Sequence, residues 1–242
     1  MAIILHLETA TRVCSVAVSD QDRLLSLREE NSPDYSHSRL LNQFVDEALS
    51  QVGVSYSQLD AVAVSSGPGS YTGLRIGSSA AKGFCYALDI PLIAVDTLKA
   101  MAHNCFDEVC GAESYLPCAA LQVLFCPMID ARRMEVYYGL FDACIHSLKE
   151  TRAEVITEDS FSRLLEDNKV FFFGDGAAKC RPFLTSYNAR VLPDILPSAR
   201  GMIKPAWEKF SGGKFEDVAY FEPFYMKEFL AGAPRVKGLR QH

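Results

Sequence analysis

The feature that most constrains the fold is an internal repeat of pattern. Residues 2–8 alternate Ile3, Leu5 and Leu7 with Ile4, His6 and Glu8, which predicts a strand. Val13–Ser19 and Leu24–Arg28 read as two more strands, joined by the turn residues Asp20-Gln-Asp22. Connections this short make the three an antiparallel meander. After the break at Asn31-Ser-Pro-Asp34, Leu40, Leu41, Phe44, Val45, Ala48, Leu49 and Val52 recur at helical spacing up to Gly53. A strand at Ala61–Ser65, a helix at Thr72–Leu88 and a strand at Leu92–Val95 follow. The second half repeats the order. Leu121–Ile129, Glu135–Phe141 and a weaker Arg152–Ile156 read as strands, with the first two joined at Asp130-Ala-Arg-Arg133. Then come a helix at Ser160–Glu166, a strand at Val170–Phe173, and Gly174-Asp-Gly176 opening another helix. Two runs of β-β-β-α-β-α imply a duplicated α/β architecture with mixed sheets.

The ribonuclease H-like lobe pair of actin, Hsp70 and sugar kinases has this plan. A chain of 242 residues has room for two such lobes. The expected division is residues 1–105 and 106–242, since Asp107, Glu108, Gly111 and Glu113 interrupt the apolar periodicity between 100 and 118. Hydrophobic residues at 49% and charged ones at 22% support a full core.

Charge and cysteine usage exclude several classes. A net charge of −6 argues against a protein that coats nucleic acid, which needs concentrated Lys and Arg. Basic residues do crowd the C-terminus as Lys227, Arg235, Lys237 and Arg240. Met1-Ala-Ile-Ile-Leu5 is too short and too soon polar for a signal peptide, and no apolar run reaches membrane-spanning length. The eight cysteines, at 14, 85, 105, 110, 118, 126, 144 and 180, form no C-x-x-C pair and sit mostly in apolar runs. They are expected to be free thiols in a reducing cytoplasm.

The most informative segment is Ser65-Ser-Gly-Pro-Gly-Ser-Tyr-Thr-Gly-Leu-Arg-Ile-Gly77. A strand ends in a Gly-Pro-Gly turn, and Ser70 or Thr72 can cap the next helix. The turn could hold an anion, yet G-x-x-x-x-G-K-[ST] is absent, so it is no P-loop. Gly73, Gly77, Ala80 and Ala81 then place small residues along one side of the helix, with Gly83 beyond. A glycine inside a helix costs about 0.8–1 kcal/mol against alanine. Close approach must repay it, either of the chain's own sheet or of a partner helix.

Gly67-Pro-Gly-Ser-Tyr-Thr-Gly-Leu-Arg-Ile-Gly77 resembles the signature of the TsaB (YeaZ) family. Ile4–Thr9 with Cys14–Ala17 is similar to that family's opening strands. His37-Ser38-x-x-Leu41 resembles its helix start, and Asp130-Ala-Arg-Arg-Met-Glu-Val-Tyr137 its hairpin. Beyond residue 140 only Gly174-Asp-Gly176 and Pro223–Lys227 echo the family.

The resemblance implies an actin-like two-lobed protein without catalysis of its own. Such proteins pair with their homologue TsaD, which, with the ATPase TsaE, attaches threonylcarbamoyl to the adenosine beside the anticodon of certain tRNAs. Without TsaD they form homodimers through the N-terminal lobe. The partner-interface residues expected here are His37, Leu40, Leu41, Phe44, Tyr71, Thr72, Gly73, Arg75 and Gly77. Candidate nucleotide contacts are Glu8, Thr9, Gly174, Asp175 and Gly176, with ATP or ADP at the partner interface and no cofactor of the chain's own. Contact with tRNA is expected only through the complex.

The residues leave little room for independent chemistry. Histidines at 6, 37, 103, 146 and 242 supply no H-x-x-x-H, the helical spacing that holds the relative's metal, so no metal site is expected. Glu8 stands where a kinase of this fold carries an aspartate, which keeps a small-molecule kinase as the alternative; ATP turnover by the chain alone would reveal it. Neither a G-x-S-x-G elbow nor a Rossmann glycine turn is present.

Overall fold

The computed structural model describes residues 1–32, 37–110 and 123–226. The basic C-terminal run from Lys227, the break at Pro33-Asp34, the Gly111/Glu113 interruption, Cys118 and Leu121 lie outside the described residues.

The first sheet contains β1 (Ile3–Glu8), β2 (Val13–Asp20), β3 (Arg23–Asn31), β4 (Ala61–Ser65) and β5 (Leu92–Val95), in the order β3-β2-β1-β4-β5. The meander β1–β3 is antiparallel, while β4 and β5 run parallel to β1. Parallel neighbours require crossover connections, supplied here by helices α1 (His37–Val52) and α2 (Tyr71–Leu88). The second sheet joins β6 (Val123–Asp130), β7 (Glu135–Phe141), β8 (Ser147–Val155), β9 (Lys169–Phe173) and β10 (Ala189–Leu192) in the order β10-β9-β6-β7-β8. Read from the other edge, this is the first sheet again. The fold is therefore the duplicated, ribonuclease H-like pair of mixed-sheet lobes found in actin, Hsp70 and sugar kinases.

Every residue of β1 is buried because both faces of the first sheet are covered. Ile3, Leu5 and Leu7 pack with Leu41, Val45 and Ala48 of α1 and Ala81 and Cys85 of α2. Ile4, with Ala63 and Ile93, meets a different cover: Ala199, Met202 and Ala206, from the 3-10 turn Ala199–Met202 and the helix that follows it. In exchange, Leu98, Met101 and Cys105 of α3 (Thr97–Cys110) pack on Phe125, Tyr137 and Phe173 of the second sheet. Each half of the chain thus roofs the other's sheet. The opposite face of the second sheet is filled by α4 (Ser162–Asp167) and α5 (Asp175–Cys180), with Leu165 and Ala177 against Met128 and Phe172. Fully burying one such Leu, Phe or Met contributes about 1.5–3 kcal/mol. Polar bonds lock the exchange: Ser15 Oγ and Ser198 Oγ both donate to Glu29 Oε2, at 3.0 and 2.8 Å. From α6 (Ile203–Ser211), Lys209 Nζ donates to the Ala94 carbonyl at 2.7 Å.

Cys14, Cys85, Cys105, Cys126 and Cys180 are buried free thiols filling apolar space. Cys144 departs from the reading of all eight as free thiols, because it is disulfide-bonded. It sits in the turn between β7 and β8, outside the apolar runs that hold the others.

Candidate functional site

A groove of about 850 Å³ lies between α1 and α2 of the first lobe. Its floor and walls come from His37, Leu41, Tyr71, Thr72 and Arg75, all expected at an interface, together with Ile76, Ala80, Gly83 and Phe84. The small residues hold this surface open. Gly83 and Ser79 are exposed, and nothing lies within 4 Å of where a Gly83 side chain would begin. Ile76 and Phe84 are half-buried apolar groups left partly uncovered. Sequence reading missed those two because their spacing also fits a helix face turned to the core.

The other expected interface residues lie elsewhere. Leu40 and Phe44 are buried in the core beneath α1. Gly73 and Gly77 face inwards: a Cβ at either position would overlap Thr9, at its carbonyl oxygen and its hydroxyl respectively. Thr9 Oγ1 in turn donates to the Gly73 carbonyl at 2.8 Å. Close approach to the chain's own β1–β2 turn therefore accounts for Gly73 and Gly77. Gly69 packs the same way on Ala10, and Ser70 caps α2 by accepting from Gly73 N at 3.3 Å.

Of the candidate nucleotide contacts, Glu8, Thr9, Gly174 and Gly176 are enclosed by protein and Asp175 is half-buried. Glu8 and Thr9 are fully buried. Glu8 Oε1 accepts from Ala10 N at 2.7 Å, whereas Oε2 has no hydrogen-bond partner among the described residues. Burial pushes the Glu8 carboxyl up to about 7, against the opposing pull of the Ala10, Ser65 and Thr9 hydrogen bonds. Gly174, at φ +95°, and Gly176 lie tightly on Met128 and Ile129 of β6, where a side chain would collide. Asp175 caps the neighbouring hairpin, accepting from Asp130 N at 2.9 Å, and burial raises its carboxyl. From the same helix, Lys179 Nζ donates to Asp130 and to the Arg133 and Glu135 carbonyls. The Gly-Asp-Gly motif thus holds the Asp130–Arg133 turn, in which Arg132 and Arg133 adopt φ of +69° and +52°.

Of the three buried histidines, His6 and His103 have lowered pKa values. His6 Nε2 pairs with Ser19 Oγ at 2.8 Å, and desolvation lowers its pKa to about 3. His103 lies between α3 and α6, where desolvation first and Lys99 second lower it to about 4. At the surface, Asp142, Cys144 and His146 bring their ligand atoms within 4.8 Å of one another. The Cys144 sulfur is committed to a disulfide, so the trio does not offer a thiolate. Among the described residues no helix is long and apolar enough to cross a membrane.

Comparison with known proteins places this arrangement in a family. Residues 33–219 match the family model described as TsaD: tRNA N6-adenosine threonylcarbamoyltransferase. The tRNA threonylcarbamoyladenosine biosynthesis protein TsaB of Escherichia coli (strain K12) is 30% identical over 234 residues, covering 94% of this chain and 96% of that protein. A tRNA N6-adenosine threonylcarbamoyltransferase of Clostridium perfringens is 43% identical over 63 residues, 26% of this chain and 19% of that enzyme. The crystal structure of a Pseudomonas aeruginosa protein with similarity to peptidase YEAZ superposes with a TM-score of 0.75 at 24% identity, covering 94% of this chain and all of that one. It supports the two-lobed fold. With a family match across residues 33–219 and a TsaB relative aligned over nearly the whole of both proteins, this chain belongs to the TsaB (YeaZ) family of tRNA threonylcarbamoyladenosine biosynthesis proteins.

Proposed function

We propose that the chain is a non-catalytic, organising subunit of the threonylcarbamoyl transfer machinery, docking the catalytic TsaD homologue in the α1–α2 groove. The groove is the observation that carries this reading: an open, partly apolar surface on two packed helices, rimmed by Tyr71, Thr72 and Arg75. Two homologous chains can meet through equivalent helix pairs, a pseudo-symmetric form of the self-complementary contact that builds most dimers. The partial match to a transferase supports such a partner. A second copy of this chain fits the same surface when the transferase is absent, which gives a homodimer. The enclosure of Glu8, Thr9, Gly174 and Gly176 supports a role without turnover in this chain. ATP or ADP then belongs to the assembled interface and to the TsaE ATPase. RNA binding belongs to the complex, and the setting is the cytoplasm, where tRNA is modified.

Gly83→Glu tests the groove. The position is exposed and spacious, so the new side chain is tolerated and α2 loses a helix-weakening glycine. Affinity for the transferase homologue, measured by titration calorimetry, is expected to fall at least tenfold with Tm unchanged or raised. Wild-type affinity in a folded Gly83→Glu protein would reject the groove as the docking site.

A further inference from the structure

After α6, residues 214–226 turn back across the first lobe. Glu216 N donates to the Leu92 carbonyl at 2.9 Å, extending the β5 edge. Lys82 Nζ, from α2, donates to the Ala219 and Phe221 carbonyls at 3.0 and 3.2 Å. Phe224 N then donates to Ser66 O at 2.7 Å, beside the signature turn. Gly67 there has φ +109°, and any side chain on it would overlap the Phe224 carbonyl oxygen. One residue later, the Tyr225 ring lies 4.9 Å from the ring of Tyr71, the first residue of α2. Met226 finally packs against the core between α3 and the second sheet. A strap from the end of the chain therefore seats on the first lobe, touches the groove rim, and ends on the second lobe.

The rim contact carries chemistry. Tyr71 Oη accepts from Arg75 Nη1 at 2.7 Å, and the guanidinium carbon lies 5.4 Å from the Tyr71 ring centre. Arg75 is exposed and makes no ion pair among the described residues. Tyr225, tilted at 44° against Tyr71, and Arg75 near it leave that ring little freedom. The guanidinium consequently stands fixed at the edge of an apolar groove, in the geometry that favours a carboxylate partner. Tyr and Arg are also the residue types that dominate binding energy at interfaces.

We propose that Tyr225 is a positioning residue for docking: it clamps Tyr71, Tyr71 aims Arg75, and Arg75 receives a carboxylate on the transferase homologue seated in the groove. This rests on the groove reading above and names the chemistry its occupant presents. The arrangement also explains why a contact at α2 involves residues some 150 positions away: the strap ties the rim to both lobes, so its preorganisation costs the complex no ordering entropy at binding.

The test uses the full chain and its transferase homologue, with affinity measured at low and at raised NaCl. Wild-type binding is expected to weaken severalfold with salt, as an exposed ion pair does. Tyr225→Ala should weaken low-salt binding about tenfold and flatten the salt dependence, as Arg75→Gln does, with Tm within a few degrees of wild type. Tyr225→Phe keeps the ring face and should behave as wild type, and Tyr225→Leu should behave as the alanine variant. Tyr225→Ala with wild-type affinity and salt dependence would overturn the proposal, as would Tyr225→Phe as weak as Tyr225→Ala. If Tyr225→Ala proves unstable, the salt profile of the folded Tyr225→Leu protein decides. Failure of the groove itself is separately visible, since Gly83→Glu would then bind normally whatever the Tyr225 variants do.

Discussion

Gly73→Ala is expected to destabilise the protein by on the order of 3 kcal/mol, the upper range for overpacking, while Gly83→Ala should stabilise it by about 0.5–1 kcal/mol. Both glycines lie in α2, ten residues apart, Gly73 on the small-residue side read from sequence and Gly83 just beyond it. Their surroundings separate them. A methyl at Gly73 meets the Thr9 carbonyl oxygen, a backbone atom held in place by β1 and by the Thr9 Oγ1 hydrogen bond to Gly73 itself. Neither can yield without pulling α2 off the sheet. A methyl at Gly83 meets nothing within 4 Å. In a chain of this size about 3 kcal/mol lowers Tm by roughly 6–12 °C, so thermal melts of the two variants should move in opposite directions. Equal melts would show that the α2–Thr9 approach is looser than described. Gly77→Leu belongs with Gly73→Ala, since its side chain would start against the Thr9 hydroxyl. Loss of folding is the expected outcome there.

This contrast also marks what sequence could show. The duplicated strand order was legible because each meander is local: alternation in β1 and the short turn at Asp20–Asp22 define their own pairing. The half of the groove formed by His37, Leu41, Tyr71, Thr72 and Arg75 was legible through the signature that surrounds it. The division of α1 was not. His37, Leu40, Leu41 and Phe44 are all buried, yet only His37 and Leu41 also border the groove, and no local pattern decides which edge of the buried stripe does so. Helix α3 was hidden because Asp107 and Glu108 look like a break; in the fold Asp107 pairs with Lys204 of α6 at 2.8 Å, and Asn104 Nδ2 donates to Glu108 at 3.3 Å. The strap was hidden for a simpler reason: its partners, Leu92, Lys82, Ser66 and Tyr71, come from a hundred or more residues earlier, and no local pattern encodes such contacts.

Folding stability is expected to peak near pH 6.5 and to fall on both sides, steeply towards acid. His6 and His103 have folded pKa values lowered to about 3 and about 4 from 6.5. Their stabilisation is present above pH 6.5 and is lost as pH falls through that window, because the unfolded chain takes up protons that the native state refuses. Glu8 works in the other direction. Its folded pKa is raised to about 7 from 4.5, so its contribution is complete below 4.5 and is lost as pH rises to 7. Between pH 4.5 and 6.5 the two histidines oppose Glu8, and these three groups leave a net uptake of about one proton on unfolding, roughly 1.4 kcal/mol per pH unit, while Asp96 and Asp175, whose carboxyls burial also raises, work on the Glu8 side. Below 4.5 the two histidines act together and the slope steepens. Above 6.5 the histidines no longer contribute, and Glu8 gives a shallow decline that ends near 7. Urea midpoints across pH 4–8 would trace this profile. Glu8→Gln keeps the Oε1 acceptor for Ala10 N but cannot ionise, so it should abolish the decline between pH 6.5 and 7 and leave the acid limb in place. A wild-type midpoint that keeps rising from pH 6 to 8 would show that Glu8 ionises in the fold as an ordinary carboxylate, and that its buried Oε2 has found a partner.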